Sequence, residues 1–264
     1  MDTNDQPLAQ LRARTESLDS EAALRRWSRV LAEDRRAGAR RLGEQCARRA
    51  RKRAAAERHL RRLLEHRETL WERGVRCVAG VDEVGVGPLA GPVVAAAVVL
   101  PDRVTLLGLD DSKQVRRAER ERLAAAIREQ AVGVGIGVVD VADIDRLNVY
   151  HAALEAMRRA VEALCESCVP DHLLVDARTV PRVSMTQTSI VHGDANDASI
   201  AAASIVAKVY RDALMLQLDE RYAGYGFARH MGYGTAQHLR ALRELGPTPV
   251  HRRSFAPVAE VLRA

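Results

Sequence analysis

Hydrophobic positions in the first quarter of the chain follow helical spacing. Leucines such as Leu24 and Leu31 lie about two helical turns apart among charged residues, which predicts a helix over residues 20–34. We predict a break at Gly38, before a second amphipathic helix over about 40–72. Two amphipathic helices bury little surface alone, so we expect them to pack on each other or on the rest of the chain.

From residue 76 onward, short apolar and β-branched runs alternate with longer helical patterns. Residues 76–100 predict a strand, a turn rich in glycine and proline, and a second strand. The same reasoning predicts strands over 131–140 and 172–176, and helices over 114–130, 141–166 and 198–219. This alternation predicts an α/β domain over residues 76–264, with a mixed central sheet and a C-terminal helical segment. The domain would follow a helical arm over residues 1–75.

The composition is that of a globular protein with an aliphatic core. Hydrophobic residues make up 47% of the 264 residues but aromatic residues only 3%, so Ala, Val, Leu and Ile must fill the interior. No apolar run approaches the roughly 20 residues of a membrane-spanning helix. The first ten residues lack the basic and apolar regions of a signal peptide, so we expect a cytoplasmic protein without a membrane partner.

The positive charge of the chain is concentrated in the arm. Residues 1–75 contain 19 basic and 12 acidic residues, a net charge of +7, whereas the remainder contains 22 and 23, a net charge of −1. A cationic arm on a nearly neutral body suggests a polyanionic partner whose phosphates would give salt-dependent affinity. A solvated helical surface in an arginine-rich chain is the alternative interpretation.

Two predicted strands end in carboxylates. Asp82 and Glu83 close the apolar strand that begins at residue 78, and Asp176 closes the strand 172–176. A buried acid is costly unless it is paired, hydrogen-bonded or bound to a metal, and strand ends in an open α/β sheet converge on one edge. Asp82 and Glu83 alone could equally well enter solvent where the strand ends.

A fourth acid, Asp212, lies on an alanine-rich helix. Ser204, Lys208 and Asp212 are four residues apart and therefore share one helical face, for which a solvent face with a Lys–Asp pair is the alternative. The chain has three lysines against 38 arginines, and Lys113 and Lys208 both lie in acid-bearing segments, where a compact ammonium group could be needed. An oxygen-only ligand set from the three segments would suit Mg²⁺ or Mn²⁺ better than Zn²⁺.

The turn after Glu83 is rich in glycine but does not fit a dinucleotide-binding loop. Gly85, Gly87 and Gly91 have the required residue type, yet Pro88 and Pro92 interrupt the expected helix start, and a strand follows instead. Glycines beside a metal site would instead let the backbone approach a sugar-phosphate chain closely.

These segments resemble bacterial ribonuclease HII. The resemblance begins with VAGVDEVGVGPLAGPVVAAAVVL and covers nearly all of residues 77–257. The further matching segments, in the family's order, are GLDDSK from residue 108, IDRLN from 144, LVD from 174, GD from 193, ASIVAKVYRD from 203, HMGYGT from 230 and HRRSF from 251. The helical arm also resembles an extension found in some family members.

The resemblance implies a ribonuclease H-like fold and hydrolysis of the RNA strand of RNA–DNA hybrids. It further implies cleavage 5′ of a ribonucleotide embedded in duplex DNA, by a two-metal mechanism with Mg²⁺ or Mn²⁺, in a monomeric protein. By motif position, the catalytic and metal-binding carboxylates would be Asp82, Glu83, Asp176 and Asp212. Candidate substrate-binding residues are Gly85, Val86, Gly87, Lys113, Ser204, Lys208 and Tyr233. Tyr233 matches the tyrosine that stacks under a sugar, with a buried structural tyrosine as the alternative.

Three positions depart from the family pattern. Val86 replaces the arginine of Gly-Arg-Gly, and Met231 and His192 replace lysines. The backbone of the turn can still recognise a ribose 2′-hydroxyl, but the arginine's phosphate contact is lost, at a cost of about 1–3 kcal/mol. An active enzyme is therefore one hypothesis, and a hybrid-binding family member with impaired turnover or altered specificity is the second. Another two-metal nuclease of the same fold is a third, which the ordered motifs disfavour.

Overall fold

The computed structural model describes residues 3–263, which form two compact units that divide between Arg61 and Arg62. The composition changes further along the chain, near residue 75. Among the described helices, none combines the length and hydropathy needed to cross a membrane.

The N-terminal unit is helical. It contains α1 (Leu8–Glu16), α2 (Glu21–Ala32) and most of α3 (Ala37–Leu63). Its core includes Leu11, Leu24, Trp27, Leu31 and Leu42. The helix predicted over 20–34 is confirmed, but the break predicted at Gly38 is wrong, because Gly38 lies inside α3. The chain turns earlier, where buried Asp34 accepts hydrogen bonds from Arg36 and Thr3.

The C-terminal unit is built on a five-stranded mixed sheet, which confirms the predicted α/β class. The strands are β1 (Val78–Val84), β2 (Val93–Val99), β3 (Gly133–Val139), β4 (His172–Asp176) and β5 (Thr186–Ile190). Their order is β3-β2-β1-β4-β5. The β1–β2 and β2–β3 pairs are antiparallel, whereas β1–β4 and β4–β5 are parallel. The parallel pairing brings the carboxyl ends of β1 and β4 to one edge.

Helices cover both faces of this sheet. The helices of the unit are α4 (Glu65–Glu72), α5 (Arg117–Gln130), α6 (Val141–Leu147), α7 (Val149–Cys165), α8 (Gly193–Asn196), α9 (Ala198–Arg221), α10 (Phe227–His230), α11 (Ala236–Leu245) and α12 (Ala256–Arg263). Ala79 and Val81 pack in one cluster with α7, whereas Val78 packs with Ile200 of α9. Because side chains alternate along a strand, α7 and α9 lie on opposite faces.

Close packing of α9 depends on a glycine in β1. A Cβ atom at Gly80 would lie 2.0 Å from the carbonyl carbon of Ser199, so no larger residue fits there. Gly80 and Asp82 are two residues apart in β1 and therefore lie on the same face of the sheet, so α9 covers the face on which Asp82 lies.

Several element boundaries differ from the sequence predictions. The helix predicted over 40–72 is two helices, α3 and α4, and the one predicted over 141–166 is interrupted at Asn148, whose φ is +68°. Asn148 caps α7 by accepting hydrogen bonds from the backbone N–H groups of Tyr150 and His151. The polar edge strand β5 and the helices α1, α8, α10 and α12 were not predicted.

Candidate active site

Three carboxylates converge where β1 and β4 end. Asp82 and Glu83 lie near the carboxyl end of β1, and Asp176 is the last residue of the parallel neighbouring strand β4. One oxygen atom from each of the three side chains lies within 4.8 Å of the others. The parallel register therefore produces the convergence that the sequence pattern predicts.

The two adjacent acids reach this point from different faces of the sheet. Asp82 lies on the α9 face, and its Oδ1 accepts a hydrogen bond from the backbone N–H of Glu83 at 2.7 Å. Glu83 instead forms an ion pair with Arg178, with 3.1 Å between Nη2 and Oε1. Asp176 accepts a hydrogen bond from the backbone N–H of Gly193 at 2.7 Å. Each carboxylate is thus fixed by a separate contact.

Burial and mutual repulsion make this cluster electrostatically unfavourable without a cation. Burial raises the pKa of Asp82 well above its usual value, and the charges of Glu83 and Asp176 raise it further. The pKa of Glu83 is also raised, chiefly by burial, although Arg178 opposes the shift. A divalent cation among these oxygens would remove the repulsion.

The donor atoms fit a hard divalent cation. All three groups offer carboxylate oxygens, which Mg²⁺ and Mn²⁺ prefer. Oε2 of Glu83 is buried and has no hydrogen-bond partner among the described residues, so one ligand atom remains available.

Asp212 lies outside the group of three and is held by cations. Its Oδ1 is 2.5 Å from Nζ of Lys208, and its Oδ2 is 3.5 Å from Nη2 of Arg120. Lys208 and Asp212 do form the Lys–Asp pair of the alternative interpretation, but the face is not a solvent face. Ser204 and Asp212 are both buried, and the hydroxyl of Ser204 donates to Oγ of Ser112 at 2.9 Å.

One cavity of about 200 Å³ joins the carboxylates to the candidate substrate-binding residues. Its wall includes Asp82, Glu83, Asp176, Gly85, Val86, Gly87, Lys113, Ser204, Lys208 and Tyr233, as well as Val84, Ser112 and Asp194. Volume alone does not identify this site. A cavity of about 590 Å³ is lined largely by arginines and Glu155, and one of about 380 Å³ largely by apolar residues, and neither contains a group of converging carboxylates.

Tyr233 lies at the mouth of this cavity. Its relative exposure is 44%, so the alternative of a buried structural tyrosine is wrong. A Cβ atom at Gly87 would lie 3.5 Å from Cε1 of Tyr233, which places the turn and the ring side by side. An exposed ring beside a backbone turn is a suitable surface for a sugar.

Two residues of the site were not proposed from the sequence. Asp194 is a buried carboxylate on the cavity wall, 3.9 Å from Nζ of Lys113, and burial together with Asp111 and Asp176 raises its pKa. Its position in the matched Gly193-Asp194 motif could have identified it. Arg178 offers no such signal, because it is one of 38 arginines.

The two residues that replace the family's lysines lie at strained backbone positions. His192 and Met231 have φ values of +54° and +50°, in the left-handed region. His192 directly precedes Gly193, which binds Asp176, and Met231 lies two residues before Tyr233. The departures therefore border the site itself.

Comparison with known proteins gives a consistent result. The family model described as Ribonuclease HII matches residues 79–258, which is more than half of the chain. The chain is 56% identical over 230 residues to a Ribonuclease HII of Myxococcus xanthus, covering 87% of this chain and 78% of the relative. It is 52% identical over 239 residues to a Ribonuclease HII of Geobacillus kaustophilus, covering 90% of each. The crystal structure of ribonuclease H2 from Pyrococcus horikoshii superposes with a TM-score of 0.61 at 25% identity, covering 71% of this chain and 97% of that one.

Proposed function

The chain belongs to the ribonuclease HII family of metal-dependent endoribonucleases, and from this membership we propose that it cuts on the 5′ side of ribonucleotides embedded in duplex DNA, as well as within RNA–DNA hybrids. The convergence of Asp82, Glu83 and Asp176 on the cavity that also contains the glycine turn and Tyr233 is the observation that carries this proposal. The three carboxylates and the surface that we propose to bind a sugar line the same cavity.

We propose that Asp82, Glu83 and Asp176 hold one divalent cation and that Asp212 contributes to a second. Bound cations would supply charge stabilisation at the scissile phosphate and lower the pKa of a water molecule. Asp212 would first have to exchange its contact with Lys208, which is then available to a phosphate oxygen. Both Mg²⁺ and Mn²⁺ fit the oxygen ligands, and parallel assays with each metal would rank them.

The remaining residues would select and orient the substrate. The backbone of Gly85, Val86 and Gly87 would approach the ribose 2′-hydroxyl, and the ring of Tyr233 would stack under the adjacent sugar. Lys113, which is 77% exposed at its side chain, would contact a phosphate. Products would carry 5′-phosphate and 3′-hydroxyl ends. We propose that the protein acts as a monomer, which light scattering would test.

An Asp82→Asn variant tests the chemistry. We expect cleavage of a duplex with a single ribonucleotide to fall by roughly 1,000-fold or more, because the metal loses a charged ligand. The same preparation should retain affinity for the substrate. Undiminished cleavage would show that the three-carboxylate group is not the catalytic centre.

Val86 and Met231 favour a second candidate function, a hybrid-binding protein with impaired turnover. Wild-type protein incubated with Mg²⁺ or Mn²⁺, a single-ribonucleotide duplex and a continuous hybrid separates the two. Binding without cleavage of either substrate would support the second function. Cleavage of the hybrid alone would show that Val86 has cost junction recognition, and Val86→Arg should then restore it.

A further inference from the structure

Two fully buried arginines support the glycine turn from inside the protein. The relative exposures of Arg211 and Arg252 are both 0%. Within residues 3–263, neither guanidinium has a carboxylate within ion-pair distance, and every hydrogen bond that they donate goes to a backbone carbonyl. A buried charge is costly unless hydrogen bonds replace the water that it loses. The carbonyl groups that accept these hydrogen bonds are therefore held firmly in place.

Arg252 binds both ends of the loop that starts with the turn. Its Nη1 donates to the carbonyl of Val86 at 3.0 Å, and its Nη2 donates to that of Gly85 at 2.6 Å. Its Nε and Nη2 also donate to the carbonyl of Gly91, at 3.0 and 2.8 Å. One planar guanidinium therefore fixes three carbonyls in a single arrangement.

Arg211 holds the other side of the same loop. It donates to the carbonyls of Pro92 at 2.9 Å, Ala90 at 3.2 Å and Met231 at 3.0 Å. A Cβ atom at Gly85, whose φ is +91°, would lie 2.3 Å from Nε of Arg211, so the guanidinium and the turn are in direct contact. Arg211 thus links the turn to the segment that leads to Tyr233.

The backbone N–H groups of the turn, unlike its carbonyls, have no partner within the protein among the described residues. No protein group among the described residues accepts a hydrogen bond from the backbone N–H of Val86 or of Gly87. Both residues border the cavity that contains the carboxylates. With their neighbouring carbonyls fixed inward by Arg252, the amides of the turn remain available to a ligand on the cavity side.

We propose that Arg252, assisted by Arg211, is a positioning residue that sets the selectivity for a ribonucleotide by holding the backbone of Gly85, Val86 and Gly87 in its ligand-binding arrangement. The inference rests on the proposed function. It also explains why the turn can keep its arrangement with valine at position 86. The arrangement depends on hydrogen bonds to the backbone carbonyls of the turn, and the side chain of residue 86 takes no part in them. A lysine at position 252 would keep the charge but would lack the planar fork.

The test measures selectivity in binding. Two duplexes are compared, one with a single ribonucleotide and one that is entirely DNA, in Ca²⁺ and with intact substrate verified on a gel. Arg252→Lys is compared with wild type and with Arg253→Lys, a matched change at the exposed neighbouring arginine. We expect the affinity ratio of the two duplexes to fall about tenfold in Arg252→Lys, as for the loss of a charged hydrogen bond, and to be unchanged in Arg253→Lys.

The outcomes separate the inference from the function on which it rests. A wild-type protein without preference for the ribonucleotide duplex would overturn the proposed junction recognition, and the inference with it. A wild-type preference that folded Arg252→Lys retains would overturn the inference alone. A parallel loss of affinity for both duplexes would also overturn it, because a merely structural role predicts that result. If Arg252→Lys does not fold, Arg211→Lys is subject to the same criteria, since it loosens the same loop from α9.

Discussion

Arg178 is the cationic residue that pairs with Glu83, one of the three converging carboxylates. Its Nη2 lies 3.1 Å from Oε1 of Glu83, and its guanidinium lies 5.0 Å from the ring centre of Tyr150. A fixed positive charge beside Glu83 opposes the binding of a second cation by the same carboxylate. If Glu83 binds a metal as proposed, Arg178 has two opposite effects: it orients the carboxylate, and its charge competes with the cation.

We predict that competition dominates. Arg178→Gln should tighten Mn²⁺ binding in the absence of nucleic acid by roughly 3- to 10-fold, because a neighbouring positive charge is removed. Isothermal titration calorimetry of the free protein would measure this. Arg182→Gln is the control, since the Arg182 side chain is 79% exposed and belongs to the same loop. Weaker binding in Arg178→Gln would contradict the prediction and show that orientation of Glu83 dominates.

The buried histidines near Tyr233 make stability depend on pH. His251 accepts a hydrogen bond from the backbone N–H of Thr248 at Nδ1, so its Nε2 carries the proton and faces Nε2 of His238 at 3.0 Å. His238 Nδ1 lies 2.9 Å from the carbonyl of Tyr233. Burial and the proximity of His238 lower the pKa of His251 to about 4.

This pKa predicts a loss of stability in acid. Because the folded pKa lies below the ordinary value of 6.5, the unfolded chain binds the extra proton between these two values. The contribution of His251 is thus complete above pH 6.5 and is lost as the pH falls toward 4. From pH 7.5 to 5.0 we expect it to lower the free energy of unfolding by about 2 kcal/mol.

Urea unfolding in EDTA at the two pH values measures this loss. His251→Gln should reduce the pH-dependent loss by about the same 2 kcal/mol, whereas His151→Gln, at an exposed position, should not change it. Equal pH dependence in wild type and His251→Gln would refute the assignment. The comparison between variants also cancels the opposite contribution of the acid cluster, whose raised pKa values favour the folded state in acid.

At the scale of elements, glycines in β3 determine how closely α7 can pack. A Cβ atom at Gly137 would lie 2.0 Å from the carbonyl oxygen of Ala156 and 2.6 Å from the backbone nitrogen of Ala160. At Gly133 the nearest atom would be Cδ1 of Leu164, at 2.7 Å, and that side chain is flexible. The first clash involves helix backbone, whereas the second can be relieved by a rotamer change.

We therefore predict unequal effects of two chemically identical substitutions. Gly137→Ala should lower the free energy of unfolding by about 3 kcal/mol or more, because α7 must move away from the sheet. Gly133→Ala should cost about 1 kcal/mol. Urea midpoints with unchanged slopes would measure both. Similar losses of stability in the two variants would mean that the backbone of α7 does not pack against Gly137 as closely as these distances indicate.

The elements that sequence reasoning found are those with an internal hydrophobic signal. β1 and β2 are apolar because both of their faces are covered. β3 alternates buried glycine and valine with half-buried β-branched residues, and α9 is rich in alanine because it lies close to the sheet. β5, with the sequence TQTSI, has no such signal, because it is an edge strand with mostly exposed side chains. The interruption at Asn148 depends on a single capping residue, which a hydrophobic pattern does not reveal.

At the scale of the whole molecule, the sequence pattern predicted the acidic site, but it did not predict the buried arginine contacts that support the glycine turn. Asp82, Glu83 and Asp176 could be found because each ends a strand, and parallel pairing then brings strand ends together. Arg252 lies 166 residues from Val86 in sequence, and its role depends on tertiary contacts that no local pattern contains. Buried charges without acidic partners are visible only in three dimensions.

The N-terminal arm is the feature at this scale whose function remains a prediction. Its charge surplus of +7 lies within residues 1–75, outside the segment that the family model matches. Helix α3 presents several exposed basic side chains, and we expect them to contact the phosphates of nucleic acid. Truncation at residue 74 would be a poor test, because α4 belongs to the C-terminal unit, where Arg67 donates to the carbonyl of Pro101.

Neutralising exposed charges tests the arm without removing structure. A quadruple glutamine variant would change Arg41, Arg48, Arg51 and Lys52. If these side chains release counterions from a duplex, the slope of log affinity against log salt should become shallower by roughly 2 or more, since each phosphate contact contributes about 0.9. A matched variant with lysine at the three arginine positions keeps the charge and should keep the slope. An unchanged slope in the glutamine variant, with the same melting temperature, would mean that the basic surplus of α3 is a solvated surface and that phosphate contacts come from the C-terminal unit alone.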